Sequence, residues 1–432
     1  LEDVNALSDN IKKHNNKLVV ITGPEENKTL PTNAGLLAKV LKAEAVSVSP
    51  YTEEGFSSLL LTKMPKPGAI VSRAKHITLE TVEMKLSNNI TVTLRPTNFK
   101  NDQVLMSAIR PGGKNNYGHA DKYNANYTTA IINAMGVEDF SPVQLKKVLA
   151  GHTATVSPIF GEASDGFTGS SSLKDIETML QLLYLYVTAP RKDTALFKAF
   201  IHKNKSEYAY STANPQSAFI DTMYKVLFKN NPLAPVVIPK SEYFDKIDLN
   251  RVMEIYKERF GNMRGMHFTF VGSFTKAQMD PLIKKYIASL PVMATKKFDF
   301  VDNKVRTEKG KVQVDFAKGK EPKSLILSFY TGELPYSEDL DFKSKAISEI
   351  LNIKIIEELR ENIQGIYTGG IYAQFTKYPY SHYSFVLELP CAPDKVDTLL
   401  STIKLVLADL KRNGPSTQDL DKVKEKWLLK NK

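Results

Sequence analysis

The stretch Ser348–Phe375, SEILNIKIIEELRENIQGIYTGGIYAQF, decides the fold of this chain. Apolar residues recur in its first part at three- and four-residue steps, the signature of an amphipathic helix. The pattern predicts a helix over Leu340–Glu361, with Ala346, Ile350, Ile353 and Ile356 on its inner face and Arg360 in its last turn. Gly365 breaks the period, and Tyr367 opens a strand, IYTGGIYAQF. The run YSFVLELP at 383–390 predicts an adjacent antiparallel strand. A guanidinium and a phenol therefore stand seven residues apart across a helix-to-strand corner, able to reach one space. On spacing alone the structural reading is the simpler one. Arginine in a last helical turn suits the macrodipole by about 0.3–1 kcal/mol, and tyrosine is a good strand former.

Working outward, Pro393 opens and Gly414 ends a helix over DKVDTLLSTIKLVLADLKRN, and DLDKVKEKWLLKNK begins another. Upstream, KVQVDF (311–316) and SLILSFYTG (324–332) read as strands. These elements predict one domain over 308–432, which looks truncated.

A second domain reads over 81–296. EMKLSNNITVTLRP is a hairpin turning at Asn88–Asn89, and QVLMSAIRPGG is a third strand. ADKYNANYTTAIINAMG is a helix with Tyr123, Tyr127, Ala130, Ile131 and Ala134 on one face and Gly136 as its stop. Ser141 and Pro142 start a further helix, strands follow, and Ser172 with Asp175 caps the strongly apolar LKDIETMLQLLYLYVTAP. DTALFKAFIHKNKSEYAYS is helical as well. Asp248–Phe274 runs helix, polar break, apolar strand, glycine, and LEDVNALSDNIKKHNNKLVVITG repeats that order at the start of the chain. Residues 1–28 thus read as the tail of a preceding domain, with KLVVITG as a strand. Residues 29–80 hold PEENKTLP, a helix near Asn33–Ala43, SVSPYTEEG and KMPKPGAIVS, and read as a linker. Helices and hairpins in mixed order predict α+β domains, each an antiparallel-rich sheet backed by helices.

Composition narrows the function. A content of 42% apolar and 24% charged residues is ordinary for a globular chain. No apolar run approaches the roughly 18 residues that span a bilayer. The charge of +11 is scattered, with no dense basic arm interleaved with aromatics, which argues against nucleic acid. The charge suits either a solvated basic surface or a wall that favours acidic or flexible peptides. The N-terminus, LEDVNALSDN, has no basic n-region and no apolar h-region, and the chain reads as the middle of a longer protein.

Local motifs for chemistry are missing. None of the seven histidines pairs with another at three- or four-residue spacing, so no zinc site follows from local sequence. The glycine-rich GEASDGFTGSSS lacks the Lys-Ser/Thr end of a phosphate loop, and no Gly-x-Ser-x-Gly elbow occurs. Cys391, the single cysteine, forms no internal disulfide and reads as a small buried residue.

SEILNIKIIEELRENIQGIYTGGIYAQF resembles the pitrilysin/insulinase (M16-type) zinc peptidases of the bacterial two-half type, which carry a leucine-rich helix, Leu-Arg-Glu, a short turn and Tyr. The stretch from GVEDFSPVQLKK to DTALFKAF is similar to the body of such a domain, and FTFVGSFTKAQMDPLIKKYIASLP to its close. The resemblance implies tandem domains of that fold. It implies that Arg360 and Tyr367 hold substrate peptide, in a half that covers the active site. The family's catalytic half carries His-x-x-Glu-His, but the comparable helix here, ADKYNANYTTAIINAMG, has neither histidine nor glutamate. By the resemblance, 81–296 is an inactive third domain, 308–432 part of a fourth, and no catalytic or metal residue is carried over. Zinc would belong to the full-length protein, with its ligands outside this chain. The implied partners are a peptide and the N-terminal catalytic half, and the fragment alone would be inactive. The alternative is a non-catalytic scaffold or peptide-binding subunit of the same fold. For a bacterial member the resemblance points to the periplasm or cell envelope.

Overall fold

The computed structural model describes residues 2–13, 18–22, 30–47, 49, 59–293 and 297–430. The chain divides into two units, Leu1–Phe56 and Ser57–Lys432.

The first unit carries helices α1 (Glu2–Lys13) and α2 (Asn33–Glu44), the latter capped by Thr32 Oγ1 accepting from Gly35 N at 3.2 Å. The strand expected at KLVVITG does not form over its described part, 18–22. Leu18 is 89% and Val20 68% exposed. An apolar run becomes a strand only beside a neighbour that takes up its backbone groups, and the described residues of this unit supply none. Lys17 and Gly23 of that run, most of PEENKTLP, and YTEEG lie outside the described residues.

The second unit is built on two sheets. The larger contains β1 (Ile70–His76), β2 (Thr81–Leu86), β3 (Thr91–Pro96), β4 (Val104–Pro111), β5 (Ala154–Phe160), β6 (Ser164–Ser171) and β7 (His267–Gly272), in the order β1-β2-β3-β7-β4-β6-β5. Only the β3–β7 pair is parallel. The sheet begins earlier than residue 81, because β1 lies inside the stretch read as a linker over 29–80. β1 is an edge strand with exposed side chains, so it lacks the alternation that marks a strand with one buried face. Its entry is fixed by Ser87 N donating to Ala69 O at 2.8 Å and Gly68 N to Lys284 O at 2.9 Å.

Between these strands run α3 (Lys122–Met135), α4 (Pro142–Val148), α5 (Ile176–Thr188), α6 (Thr194–Glu207), α7 (Pro215–Leu227), α8 (Leu249–Phe260) and α9 (Lys276–Leu282). Strict alternation in β4 and β5 turns Val104, Met106, Ala108 and Val156 inward, with α3 and α5 packed on β5 and α8 on β6. Leu180 and Leu183 of α5 are fully buried, each contributing about 1.5–3 kcal/mol. The inward face of α3 is Asn124, Ala125, Thr128, Ile131, Ile132 and Met135, rotated from the expected Tyr123–Ala134 face. Two polar residues on that face explain the shift: Asn124 Oδ1 accepts from Asp248 N at 2.9 Å, and Thr128 Oγ1 donates to Asn124 O at 2.7 Å.

The smaller sheet has β8 (Ser324–Gly332), β9 (Gly370–Thr376) and β10 (His382–Cys391) in the antiparallel order β8-β10-β9. Helices α10 (Glu338–Ile355), α11 (Val396–Asn413) and α12 (Thr417–Lys430) accompany it. Its core gathers Ile326, Leu351, Ile355, Leu359, Leu389 and Leu399. KVQVDF is not a strand: it pairs with no strand among the described residues, and Val312 and Val314 are each 52% exposed. The inner line of α10 runs through Ser348, Leu351 and Ile355, together with the expected Ile350, whereas Ile356 is exposed. Hydrogen bonding sets this line, through Ser348 Oγ to Ile371 O at 2.7 Å and Asn352 to both backbone groups of Ile371.

Candidate peptide-binding cleft

Past Ile355, α10 widens into a π-helical turn, Ile356–Asn362, in which Ile363 N donates to Glu358 O at 3.1 Å. Leu359 is fully buried and pins the turn to the core, which leaves the next side chain, Arg360, facing out. The chain reverses by Gly365 N donating to Leu359 O at 2.9 Å, with Gln364 at φ 53°. Gly365 lies against α11, where an added Cβ would come within 2.8 Å of Leu399 Cδ2. Ile366 then bridges to Cys391 and is buried.

Tyr367 does not open the strand, which begins at Gly370. It sits in the bend ahead of β9 and is 82% exposed. The corner brings the two expected residues together, with Arg360 Cζ 5.7 Å from the Tyr367 ring centroid. A guanidinium at that distance over an exposed ring gains about 0.5–1 kcal/mol. Both line an open cleft of about 690 Å³, with Glu361, Gln364, Lys323 and Cys391. The Arg360–Glu361 approach of 3.6 Å is an exposed ion pair and too long for a hydrogen bond. Lys323 is paired with Glu321 at 2.6 Å. Among the described residues no hydrogen bond occupies the Arg360 guanidinium or the Tyr367 hydroxyl, so both can donate to an incoming acceptor. Lys323 and Gln364 carried no sequence signal. The first reaches the cleft from ahead of β8, and the second is ordinary in type and marked only by its turn.

Cys391 is half-buried, and burial and the nearby Asp394 raise its pKa, keeping it a thiol. His382 stands at the opposite end of β10 and faces the Tyr380 carbonyl at 3.0 Å. Other histidines are separate: His152 Nδ1 meets Asp175 Oδ1 at 2.7 Å, and His267 meets Thr93 Oγ1 at 2.8 Å. Among the described residues no cluster of three His, Cys, Asp or Glu could hold a metal ion. No helix in these residues is long and apolar enough to cross a membrane.

The mixed sheet-and-helix layers define an α+β fold whose structural neighbours are M16 peptidase domains. Residues 246–426 match the family profile described as the Peptidase M16 inactive domain. It is 22% identical over 334 residues to the probable zinc protease PqqL of Haemophilus influenzae, covering 77% of this chain and 35% of that protein. In fold it is similar to the periplasmic protease PqqL from Escherichia coli (TM-score 0.75, 16% identity, 92% of this chain and 44% of that one). It is also similar to the ferredoxin protease FusC, solved in complex with Arabidopsis ferredoxin (TM-score 0.74, 15% identity, 93% and 44%). The chain spans about a third of the length of the curated relatives it matches.

Proposed function

We propose that this chain is the zinc-less, C-terminal half of a zinc metalloendopeptidase, closing over a catalytic half and holding substrate peptide with Arg360 and Tyr367. The observation that carries the reading is the pair itself: two unspent donors in one open cleft. A peptide carbonyl gains negative charge as it is attacked, and a guanidinium and a phenol donate to it more strongly in that state. The domain assignment belongs to the same reading: 81–296 as the third domain, 308–432 as part of the fourth, and 1–28 as the tail of the second. Zinc and the carboxylate that activates water would sit in the catalytic half. The likeness to a periplasmic protease supports a periplasmic home.

The test uses the full-length protein and an internally quenched peptide. Turnover that a chelator abolishes is the expected result, and its absence favours the non-catalytic scaffold instead. Arg360→Ala and Tyr367→Phe should each lower kcat/KM by about 10–100-fold, the effect of losing a hydrogen bond of roughly 1.5–3 kcal/mol to a charged group. Unchanged turnover in both variants would remove the pair from the mechanism.

A further inference from the structure

We propose that residues 297–319 form a strap that binds the two sheet layers of the second unit into one lever, with Phe298 as its latch. The segment has no regular secondary structure, yet its side chains alternate between the layers. Phe298 lies under two arginines of the larger layer, 3.5 Å from Arg110 Cζ and 4.9 Å from Arg259 Cζ. Those guanidiniums share one buried carboxylate, Asp165, at 3.3 Å from Arg110 Nε and 2.6 Å from Arg259 Nη2. Two positive charges meet one negative charge in a dry site, and Arg110 also donates to the carbonyls of Asn262, Arg264 and Arg259. The π face of Phe298 supplies further negative potential to this excess cation.

Two residues on, Phe300 stacks flat on Tyr378 at the tip of the β9–β10 hairpin, with centroids 3.9 Å apart. Asn303 returns to the larger layer, donating to Asn115 Oδ1 at 2.8 Å. Arg306, braced by Asp302 at 2.7 Å, crosses again: its Cζ is 3.4 Å from the Tyr380 ring centroid and its Nε 3.1 Å from Glu333. Thr307 meets Thr331 of β8 at 2.8 Å, and Glu308 N donates to Leu227 O at the end of α7 at 2.7 Å. Phe316 and Lys318 then close on Phe219 and on Thr212 O. A plain linker lets its domains reorient, which is the default for neighbouring domains. A segment that grips both sides in turn removes that freedom and fixes the orientation of the cleft at Arg360 to the larger sheet. These contacts stand whether or not the cleft binds peptide.

The test is a distance measurement in the whole 432-residue chain. Spin labels at Lys100→Cys and Lys411→Cys, in a Cys391→Ser background, report one layer against the other. One narrow distance distribution is expected with the strap intact, and a broad one overturns the proposal without any strap variant. Phe298→Ala with Phe300→Ala should broaden the distribution while circular dichroism stays unchanged. A distribution that stays narrow in that variant also overturns it. If the double variant fails to fold, Asn303→Ala with Arg306→Ala serves in its place, read against the same two outcomes.

Discussion

Asn352 grips both backbone groups of Ile371: its Oδ1 accepts from Ile371 N at 2.7 Å, and its Nδ2 donates to Ile371 O at 2.9 Å. One α10 side chain therefore fixes the start of β9, and with it the bend that carries Tyr367. The site is fitted so closely that a Cβ on Gly370 would fall 2.7 Å from Asn352 Oδ1. Replacing Asn352 by Ala leaves the Ile371 N–H unpaired in a buried setting, an expected loss of about 1–3 kcal/mol. Chemical denaturation measures it. Hydrogen exchange should rise along β9 while the larger sheet stays protected.

Gly365→Ala tests the corner from the other side. The new methyl meets Leu399 Cδ2 at 2.8 Å, an overpacking that costs about 1–3 kcal/mol. Adding Leu399→Ala removes the obstructing group. The double variant should be more stable than the sum of the two losses, and a double-mutant cycle by thermal unfolding reads that coupling.

The exposed pair should behave in the opposite way. Arg360→Ala and Tyr367→Ala touch no buried group and lose at most their mutual cation–π contact, so stability should stay within about 1 kcal/mol of the parent. A Tm unchanged beside a fall in peptide turnover separates a binding role from a folding role. A drop in Tm as large as that of Asn352→Ala would assign the pair to the fold.

Asp175 links the fold to pH. Burial alone would raise its pKa, but hydrogen bonds from Ser172 Oγ, His152 and Thr153 N outweigh that and hold it at about 2. A depressed folded-state pKa stabilises the protein above the unfolded value near 4 and loses that support as pH falls toward 2. The contribution is on the order of 2 kcal/mol. Denaturation followed between pH 5 and 2 should show this slope, and Asp175→Asn should flatten it.

Much of this architecture is written in local pattern. The β2–β3 hairpin follows from alternation around Asn88–Asn89, with Asn89 at φ 63°. α4 starts at a capping box formed by Ser141 and Gln144, and α11 stops at Gly414, where φ is 72°. The same kind of pattern misleads where partners decide. KVQVDF alternates as a strand should but pairs with no strand among the described residues. The edge strand β1 does not alternate, yet it pairs with β2 from Ile70 to His76, with one register shift between Ile70 and Ser72. The faces of α3 and α10 are rotated from the apolar pattern because Asn124, Thr128, Ser348 and Asn352 turn inward as hydrogen-bonding residues, which a count of apolar positions misses.

The sequence by itself determined the α+β class, most helix and strand positions, and the Arg360–Tyr367 corner, because propensity, caps and turn residues act over a few neighbours. Only the tertiary structure decided which faces turn inward and that β1 joins the sheet. It also decided that Lys323 and Gln364 share the cleft and that 297–319 grips both layers. Those outcomes depend on groups far apart in the chain meeting in space. Leu359 shows both kinds of cause: its place in the helix is local, but its burial against the small-sheet core is what turns Arg360 outward beside Tyr367.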